Sequence, residues 1–235
     1  MDASLLVHFS TKIGGFSKGE YEGNNLAFHV GDEARVVEKN REYIFNKLGI
    51  KSVADMQQSH NTNLKTVFEE GRILNCDGIF STKKDLALLV LVADCIPLLF
   101  YEPNVGVIGA VHAGRVGVFE GIVEKSIKKL KDEFGAKKNS IRVWLGPSIK
   151  DCCYEVDGEV LKESKDRFPS FVKGKNLSLD EIVVKKLKEY SISQIYSSKI
   201  CTCCHEEYFS YREKRVCGRQ AGIIMLRDLN GKESI

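Results

Sequence analysis

The sequence predicts an α/β (α+β) fold, a layered sandwich built around a mixed β-sheet. Strand-like and helix-like segments alternate along the whole chain. The apolar run Leu86–Val92 is continuous, as in a strand that is buried on both faces. No repeat, linker or shift in composition divides the 235 residues. A single domain over residues 1–235 is therefore the simplest interpretation.

The first half of the chain predicts one helix and three strands. Ala34–Leu48 is the helix, and it ends at Gly49, a residue that commonly stops helices. Leu86–Val92 is the first strand. Pro97–Tyr101 and Val105–Val111 follow as two strands joined by a short turn that contains proline and asparagine. We expect these two strands to form an antiparallel hairpin.

The second half continues the alternation. Gly117–Phe134 is predicted to be one helix, because its apolar residues follow a 3.6-residue period. Ile141–Leu145 is a strand that ends at a Gly-Pro dipeptide. Ser178–Tyr190 is a helix, and its serine with a glutamate three residues later forms a capping box. Ala221–Leu226 is the last predicted strand.

Charge and composition exclude several classes of protein. The 35 basic and 32 acidic residues leave a net charge of +3, too small to indicate binding to nucleic acid or to an anionic membrane. The first residues include an acid and no long apolar run, unlike a secretory signal. No apolar stretch is long enough to span a bilayer. We expect a cytoplasmic protein whose eight cysteines are free thiols or ligands rather than disulfides.

Arg41 interrupts the apolar stripe of the first predicted helix. It lies four residues after Val37 and three before Ile44, so it falls within that stripe. A buried guanidinium is costly unless it is paired. One interpretation is a structural salt bridge or an arginine whose stem lies along the apolar surface. The other is an anion clamp that reaches into a site, since guanidinium matches phosphate geometry.

Polar residues at two strand ends predict a cysteine–histidine pair. Asp94 and Cys95 follow the buried strand Leu86–Val92, and His112 follows the strand that ends at Val111. Because Cys95 precedes the first strand of the hairpin and His112 follows the second, the two ends lie side by side. A reactive thiol and an imidazole would therefore be neighbours at this edge of the sheet.

Two other groups of residues give weaker signals. His60 lies in the polar segment 57–63, where a lone histidine is usually only part of a loop. Cys201, Cys203, Cys204 and His205, with Cys217 later in the chain, suggest a zinc knuckle. Their spacing fits no standard zinc pattern, so ordinary free thiols are the favoured interpretation.

Six ordered motifs resemble one bacterial family. They are Gln58-Ser59-His60, Cys76-Asp77-Gly78, Ala93-Asp94-Cys95-Ile96-Pro97, Val111-His112-Ala113-Gly114, Gly146-Pro147-Ser148-Ile149 with Cys152-Cys153-Tyr154-Glu155-Val156, and Phe209-Ser210-Tyr211-Arg212 with Gly218-Arg219. In this order they resemble the YfiH family, also called the multicopper polyphenol oxidoreductase (laccase) or peptidoglycan editing factor family. The resemblance extends over nearly the whole chain.

The resemblance implies a fold similar to the catalytic domain of cytotoxic necrotizing factor, with one zinc ion held by two histidines and a cysteine. It implies phosphorolysis of purine nucleosides (adenosine, inosine, guanosine, methylthioadenosine) and deamination of adenosine. The zinc ligands would be His60, Cys95 and His112, and Arg41 would face the phosphate. Asp94 is our candidate for orienting a ligand or for general acid–base catalysis.

The chain departs from the family pattern beside two of the expected ligands. The family usually has His-Ala-Gly-Trp-Arg-Gly at the second histidine, whereas this chain has Arg115 and Val116 in place of the tryptophan and arginine. The family often has glycine after the first histidine, where this chain has Asn61. The expected ligands remain, but the pocket wall and its charge differ.

Three other functions stay open at this point. Cys95 activated by His112 would be the nucleophile of an amide hydrolase acting on peptidoglycan precursors. A His₂Cys set also suits copper, and hence a polyphenol oxidase, although a laccase needs several imidazole-rich copper sites and the chain has five histidines. A non-catalytic binding protein is the third class. The expected partners are a purine nucleoside and phosphate, and the chain would be a monomer or homodimer.

Overall fold

The computed structural model describes residues 4–228, which form thirteen strands and five α-helices. The strands are β1 (Leu5–Phe9), β2 (Ser52–Met56), β3 (Leu64–Thr66), β4 (Gly71–Ile73), β5 (Gly78–Ser81), β6 (Leu86–Val92), β7 (Ile96–Glu102), β8 (Val107–Ala113), β9 (Arg142–Leu145), β10 (Val172–Lys173), β11 (Asn176–Leu177), β12 (Gln194–Ser197) and β13 (Gln220–Leu226). The helices are α1 (Ala34–Leu48), α2 (Arg115–Phe119), α3 (Ile122–Phe134), α4 (Gly158–Arg167) and α5 (Leu179–Glu189).

Two large mixed sheets organise the chain. The first has five strands in the order β1-β13-β6-β2-β4, and the second has six in the order β12-β9-β7-β8-β5-β3. In the first sheet, β2 pairs in parallel with β6 and β4. β13 pairs antiparallel with both of its neighbours, β1 and β6. In the second sheet β7 and β8 form the expected antiparallel hairpin. The strands β10 and β11 form a separate two-stranded ribbon.

The core is stacked in layers because successive residues of a strand point to opposite faces. In β6, Leu88 and Val90 point to one face and pack in a hydrophobic cluster with side chains of the second sheet. Leu89 and Leu91 of the same strand pack on the other face, against Ile44 of α1. Each of these side chains is buried. One face of the first sheet therefore packs against α1, and the opposite face packs against the second sheet.

The outer face of the second sheet, which faces away from the first sheet, is covered by helices that include α3 and α5. Leu98 and Phe100 of β7 pack with Ile127 and Leu130 of α3 and with Ile182 of α5. Burying an aliphatic or aromatic side chain of this size contributes roughly 1.5–3 kcal/mol. The resulting order of layers is helix, sheet, sheet, helix, which confirms the predicted α/β layered sandwich with mixed sheets.

One predicted helix is divided in two. The segment 117–134 was expected to be a single helix, but α2 ends at Phe119 and α3 begins at Ile122. Gly121 lies between them with φ of 88°, in the left-handed region that interrupts an α-helix. The apolar period continues across the break because both pieces pack on the same sheet.

The predicted capping box of α5 does not form. The helix begins at Leu179, and the Ser178 side chain makes no capping hydrogen bond. The backbone N–H of Ser178 instead donates to the carbonyl of Phe171 at 2.9 Å. That donor is the one Glu181 would have bonded in a capping box. A backbone hydrogen bond beside the β10–β11 ribbon therefore replaces the side-chain one.

The helices are short compared with membrane-spanning segments. The longest, α1, has 15 residues. A helix that crosses a bilayer needs about 20 consecutive apolar residues. Among the described residues, no helix is long and apolar enough to cross a membrane.

Candidate active site

The β7–β8 hairpin brings Cys95 and His112 together. Cys95 immediately precedes β7, and His112 is the penultimate residue of β8, rather than following that strand as the sequence suggested. In the register, Pro97 lies opposite His112 and Ile96 lies opposite Ala113. The two side chains are thus neighbours at one end of the second sheet, as the hairpin geometry predicts.

His60 reaches the same point from the loop after β2. The Nδ1 or Nε2 atoms of His60 and His112 and the Sγ atom of Cys95 all lie within 4.8 Å of one another. The two imidazole rings are nearly perpendicular, with centroids 4.7 Å apart. His60 has a positive φ of 59°, an unusual conformation for a residue other than glycine. The structure therefore unites the three residues that the family resemblance named, and we call them the His₂Cys cluster.

A buried carboxylate, Asp77, holds both histidines in place. The backbone amides of Ser59, His60 and Asn61 each donate to its oxygens at 3.0 Å, which fixes the turn at His60. Its Oδ1 lies 2.7 Å from Nδ1 of His112. This contact orients the His112 ring and leaves its Nε2 available for a metal.

Sequence reasoning missed the role of Asp77. In the sequence, Asp77 is distinguished only by its place in the family motif Cys76-Asp77-Gly78. It immediately precedes β5, which pairs with β8 so that Gly78 lies opposite Val111. The pairing of these two distant strands brings the carboxylate beside His112. Nothing in the local sequence indicates that pairing.

Gly114 allows the three donor side chains to approach one another. A Cβ atom at this position would lie 3.2 Å from Sγ of Cys95, 3.4 Å from Cδ2 of His60 and 3.5 Å from Cε1 of His112. The first distance is tighter than ordinary carbon contacts. A side chain at position 114 would therefore press on the sulfur of Cys95 and fill the space beside both imidazole rings.

Cys95 and His112 form a strongly coupled thiol–imidazole pair. Burial alone would raise the pKa of the Cys95 thiol, but the charge and hydrogen bonds of His112 and then His60 outweigh it and lower the pKa to about 6. Burial would likewise lower the pKa of His112, but the Cys95 charge and Asp77 raise it to about 9. Both shifts favour the thiolate–imidazolium form of the pair.

The His₂Cys cluster opens into a cavity of about 860 Å³. Its walls combine basic and aromatic side chains, among them Arg115, Tyr154, Tyr211, Arg212 and Arg215. Burial, followed by the charge of Cys95, raises the pKa of Tyr154 to about 12, so its hydroxyl stays protonated. The guanidinium of Arg212 lies 5.6 Å from the centre of the Tyr154 ring. The cavity therefore presents flat aromatic faces beside positive charge.

Asp94 lines the cavity, and its carboxylate links the turn between β6 and β7 to the segment that follows β12. One oxygen accepts a hydrogen bond from Oγ1 of Thr202, and the other from the backbone N–H of Arg212, both at 2.7 Å. Its φ is 87°, in the left-handed region. Both oxygens are thus engaged with the segment that follows β12.

Arg41 does not line the cavity. Its Nη1 forms a 2.8 Å ion pair with Asp55, and its Nε donates to the carbonyl of Leu26 at 2.8 Å. Its guanidinium lies 4.6 Å from the centre of the Phe28 ring. Its Nη2 is buried and has no hydrogen-bond partner among residues 4–228. The charge of Arg41 still acts on the cavity wall, since it helps lower the pKa of His29, which burial and Arg219 lower more strongly.

The residues that depart from the family pattern occupy defined places. Arg115 is the first residue of α2, lines the cavity and lies 3.5 Å from a carboxylate oxygen of Glu163. Val116 is half-buried on the same helix. The side chain of Asn61 donates to Oγ of Ser59 at 2.7 Å and to Oδ1 of Asn75 at 2.9 Å. The Asn61 side chain is therefore accommodated by hydrogen bonds to Ser59 in its own loop and to Asn75.

Comparison with known proteins identifies the family. The family model described as multi-copper polyphenol oxidoreductase laccase matches residues 6–227. The chain belongs to this family. This laccase-family assignment agrees with the motifs found in the sequence.

Curated relatives and solved structures extend the assignment. A Corynebacterium glutamicum protein named purine nucleoside phosphorylase is 34% identical over 229 residues, which cover 93% of each chain. A Clostridium acetobutylicum protein of the same name is 32% identical over 229 residues, 94% of this chain and 90% of the relative. The crystal structure of YlmD from Geobacillus stearothermophilus aligns with a TM-score of 0.90 at 27% identity, covering 96% of this chain and 93% of that one. YfiH from Bacillus licheniformis aligns with the same TM-score and identity, covering 95% and 93%.

Proposed function

We propose that this laccase-family chain is a zinc-dependent purine nucleoside phosphorylase that also deaminates adenosine. The observation that carries the proposal is the His₂Cys cluster at the end of a cavity with basic and aromatic walls. The names of the relatives in Corynebacterium and Clostridium support the first activity. The second activity rests on the chemistry of the cluster and on the family resemblance.

The donor set fits zinc. Catalytic zinc sites use three protein ligands, from histidine nitrogen, cysteine sulfur or carboxylate oxygen, and keep a further position open. His60, Cys95 and His112 offer two imidazoles and a thiolate beside an open cavity, and Asp77 orients one imidazole as metal-bound histidines require. When bound there, zinc supplies a Lewis acid that activates water for attack on a purine ring.

The cavity walls suit a nucleoside. Tyr154 and Tyr211 offer aromatic faces on which a purine can stack. Arg212 and Arg215 lie against these rings, at 5.6 Å and 5.3 Å from their centres. Guanidinium groups bind phosphate with paired hydrogen bonds. In our proposal they hold the incoming phosphate near the ribose and stabilise the negative charge in the transition state.

Arg41 takes a supporting part in phosphate binding in this proposal. Its Nη2 has no partner within the described part of the chain, and its charge reaches His29 on the cavity wall. Its ion pair with Asp55 fixes the guanidinium. Asp94 takes a positioning part, since its two hydrogen bonds hold Thr202 and Arg212 at the cavity edge.

A second candidate function is a metal-independent amide hydrolase. The observation that favours it is the depressed pKa of Cys95 beside His112, which Asp77 orients in turn. A nucleophile, a base and an orienting carboxylate are the parts of a cysteine hydrolase. Peptidoglycan precursors are the substrates that the family resemblance suggests for it.

A copper polyphenol oxidase is the least favoured candidate. Laccase chemistry needs several copper ions with imidazole ligands. Among residues 4–228, two groups of side chains converge as metal ligands, and one of them contains histidine. The described residues therefore offer one imidazole-containing site.

Product chromatography tests the proposal. Purified protein is incubated with adenosine, with and without phosphate, beside a Cys95→Ala variant. We expect adenine and hypoxanthine that depend on phosphate, and inosine as the product without phosphate, with each product absent from the variant. If no product forms in either condition, the phosphorylase proposal is wrong. Hydrolysis of an amide substrate by metal-free protein, lost on alkylation of Cys95, would then support the hydrolase.

A further inference from the structure

Four cysteines outside the active site converge on one point. They are Cys152 and Cys153 in the turn after β9, and Cys201 and Cys204 in the turn after β12. The four Sγ atoms all lie within 4.8 Å of one another. Sγ of Cys204 is 3.6 Å from that of Cys152 and 3.2 Å from that of Cys153. We call this group the Cys₄ cluster.

We propose that the Cys₄ cluster binds a second, structural zinc ion. Four thiolates in a tetrahedron are a standard structural zinc site, and zinc–sulfur bonds of about 2.3 Å separate the sulfurs by about 3.8 Å. The observed separations of 3.2 and 3.6 Å lie close to that value. Four soft thiolates favour zinc over the hard cations magnesium and calcium. Binding displaces the thiol protons to solvent.

A backbone amide prepares one of the four sulfurs for a metal. Sγ of Cys201 accepts a hydrogen bond from the N–H of Lys150 at 3.4 Å. Such contacts stabilise a thiolate, the form of cysteine that binds metals. The ammonium of Lys150 is 2.9 Å from Asp180, so its charge is already paired.

The Cys₄ cluster lies where two walls of the catalytic cavity meet. Ser148 and Cys201 form a β-bridge, which begins the contact between the two cysteine-bearing turns. Tyr154 lines the cavity and directly follows the first cysteine pair. Thr202, between the second pair, donates to Asp94. A zinc ion in the cluster would therefore fasten the walls of the cavity.

The residues of the zinc-knuckle interpretation overlap only in part with the Cys₄ cluster. Cys201 and Cys204 belong to the Cys₄ cluster, but Cys203, His205 and Cys217 do not. The missing pair comes from about fifty residues upstream, so the spacing of the C-terminal cysteines could not show it. Cys203 is therefore a matched control, because it lies in the same turn and carries the same thiol.

Metal analysis tests the proposal. Full-length protein is purified in zinc-containing, reducing buffer, dialysed, and analysed by mass spectrometry of its metals. We expect about two zinc ions per chain in the wild type and in Cys203→Ser, and about one in Cys204→Ser and Cys152→Ser. A Cys95→Ala variant should keep the zinc of the Cys₄ cluster even if the phosphorylase proposal fails.

Cobalt titration of the metal-free Cys95→Ala variant gives a second measurement, because this variant has no thiolate in the His₂Cys cluster. Cobalt bound by four thiolates produces a strong sulfur-to-metal absorption, and we expect it to saturate at the Cys₄ cluster and to be displaced by zinc. Equal zinc contents in wild type and Cys204→Ser would overturn the proposal, as would equal losses in Cys203→Ser and Cys204→Ser. A disulfide between Cys153 and Cys204 that forms under reducing conditions and excludes cobalt would also overturn it.

Discussion

The two cysteine-containing clusters differ in how the chain builds them. The His₂Cys cluster lies at the ends of buried strands, where sheet register and Asp77 set the positions of its donors. The Cys₄ cluster lies on two turns that meet through the bridge between Ser148 and Cys201. The first offers three donors beside a cavity of about 860 Å³, and the second offers four donors that close on one another. An open three-donor set is suited to catalysis, and a closed four-donor set to stability.

The largest effect is expected away from both clusters, and it separates folding from metal binding. Asp55→Asn removes the partner of buried Arg41 and should lower the free energy of unfolding by about 3 kcal/mol at pH 7. Burial opposes ionisation of Asp55, but Arg72 and Arg41 lower its pKa overall. The contribution is therefore complete above about pH 4 and is lost as pH falls through the lower folded value.

Urea unfolding of wild type and Asp55→Asn at several pH values measures this effect. The difference between the two proteins should be constant near neutrality and should shrink below about pH 4. Asp132→Asn, which removes an exposed partner of Lys128, is the control and should leave the urea midpoint unchanged. A difference that grows on acidification contradicts the interpretation.

The next largest effect is expected for the affinity of the His₂Cys cluster for zinc, which depends on Asp77. Asp77→Asn replaces the carboxylate that orients His112, so we expect zinc affinity at this cluster to fall by about 10–100-fold. Competition with a chromogenic chelator measures the affinity. Asp94→Asn is the comparison, because Asp94 contacts Thr202 and Arg212 rather than a donor. Equal losses in the two variants would show that Asp77 acts only through general stability.

A smaller effect separates the two proposed reactions. Arg41→Ala should lower kcat/KM for phosphorolysis about tenfold and leave deamination nearly unchanged, since only phosphorolysis needs the anion. Deamination by the same preparation is the internal control for folding. Arg35→Ala, an exposed change on the same helix, should alter neither rate. An equal decrease in both reactions would show that Arg41 does not support phosphate binding.

The smallest effect is expected at the Cys₄ cluster. Cys204→Ser leaves all three donors of the His₂Cys cluster in place but loosens the wall that contains Tyr154 and Arg212. We expect KM for adenosine to rise by about threefold with kcat unchanged, as for lost uniform binding. Cys203→Ser should behave as wild type. A large fall in kcat for Cys204→Ser would mean that the cluster takes part in the chemistry.

The parts that sequence predicts best are local or lie in one hairpin. α1 and β6 have the predicted bounds, because an apolar period and a continuous apolar run determine them. The closeness of Cys95 and His112 followed from the β7–β8 hairpin alone. His60 required the family resemblance, since its loop reaches the cluster through Asp77.

The parts of the two clusters that sequence missed depend on distant contacts. Asp77 reaches His112 because β5 pairs with β8, and the Cys₄ cluster forms because two turns about fifty residues apart meet.

Two other differences are local. Gly121 divides a predicted helix through its left-handed backbone, although the apolar period gives no sign of a break. The capping box at Ser178 is replaced by a hydrogen bond to Phe171 beside the β10–β11 ribbon.

Zinc titration of metal-free protein tests the central claim most directly. The Cys204→Ser variant is used, so that the His₂Cys cluster is the one complete donor group among the described residues. Adenine release from adenosine and phosphate is followed as zinc is added. We predict no activity without metal and a linear rise that saturates at about one zinc per chain. Full activity in the metal-free protein would contradict the claim.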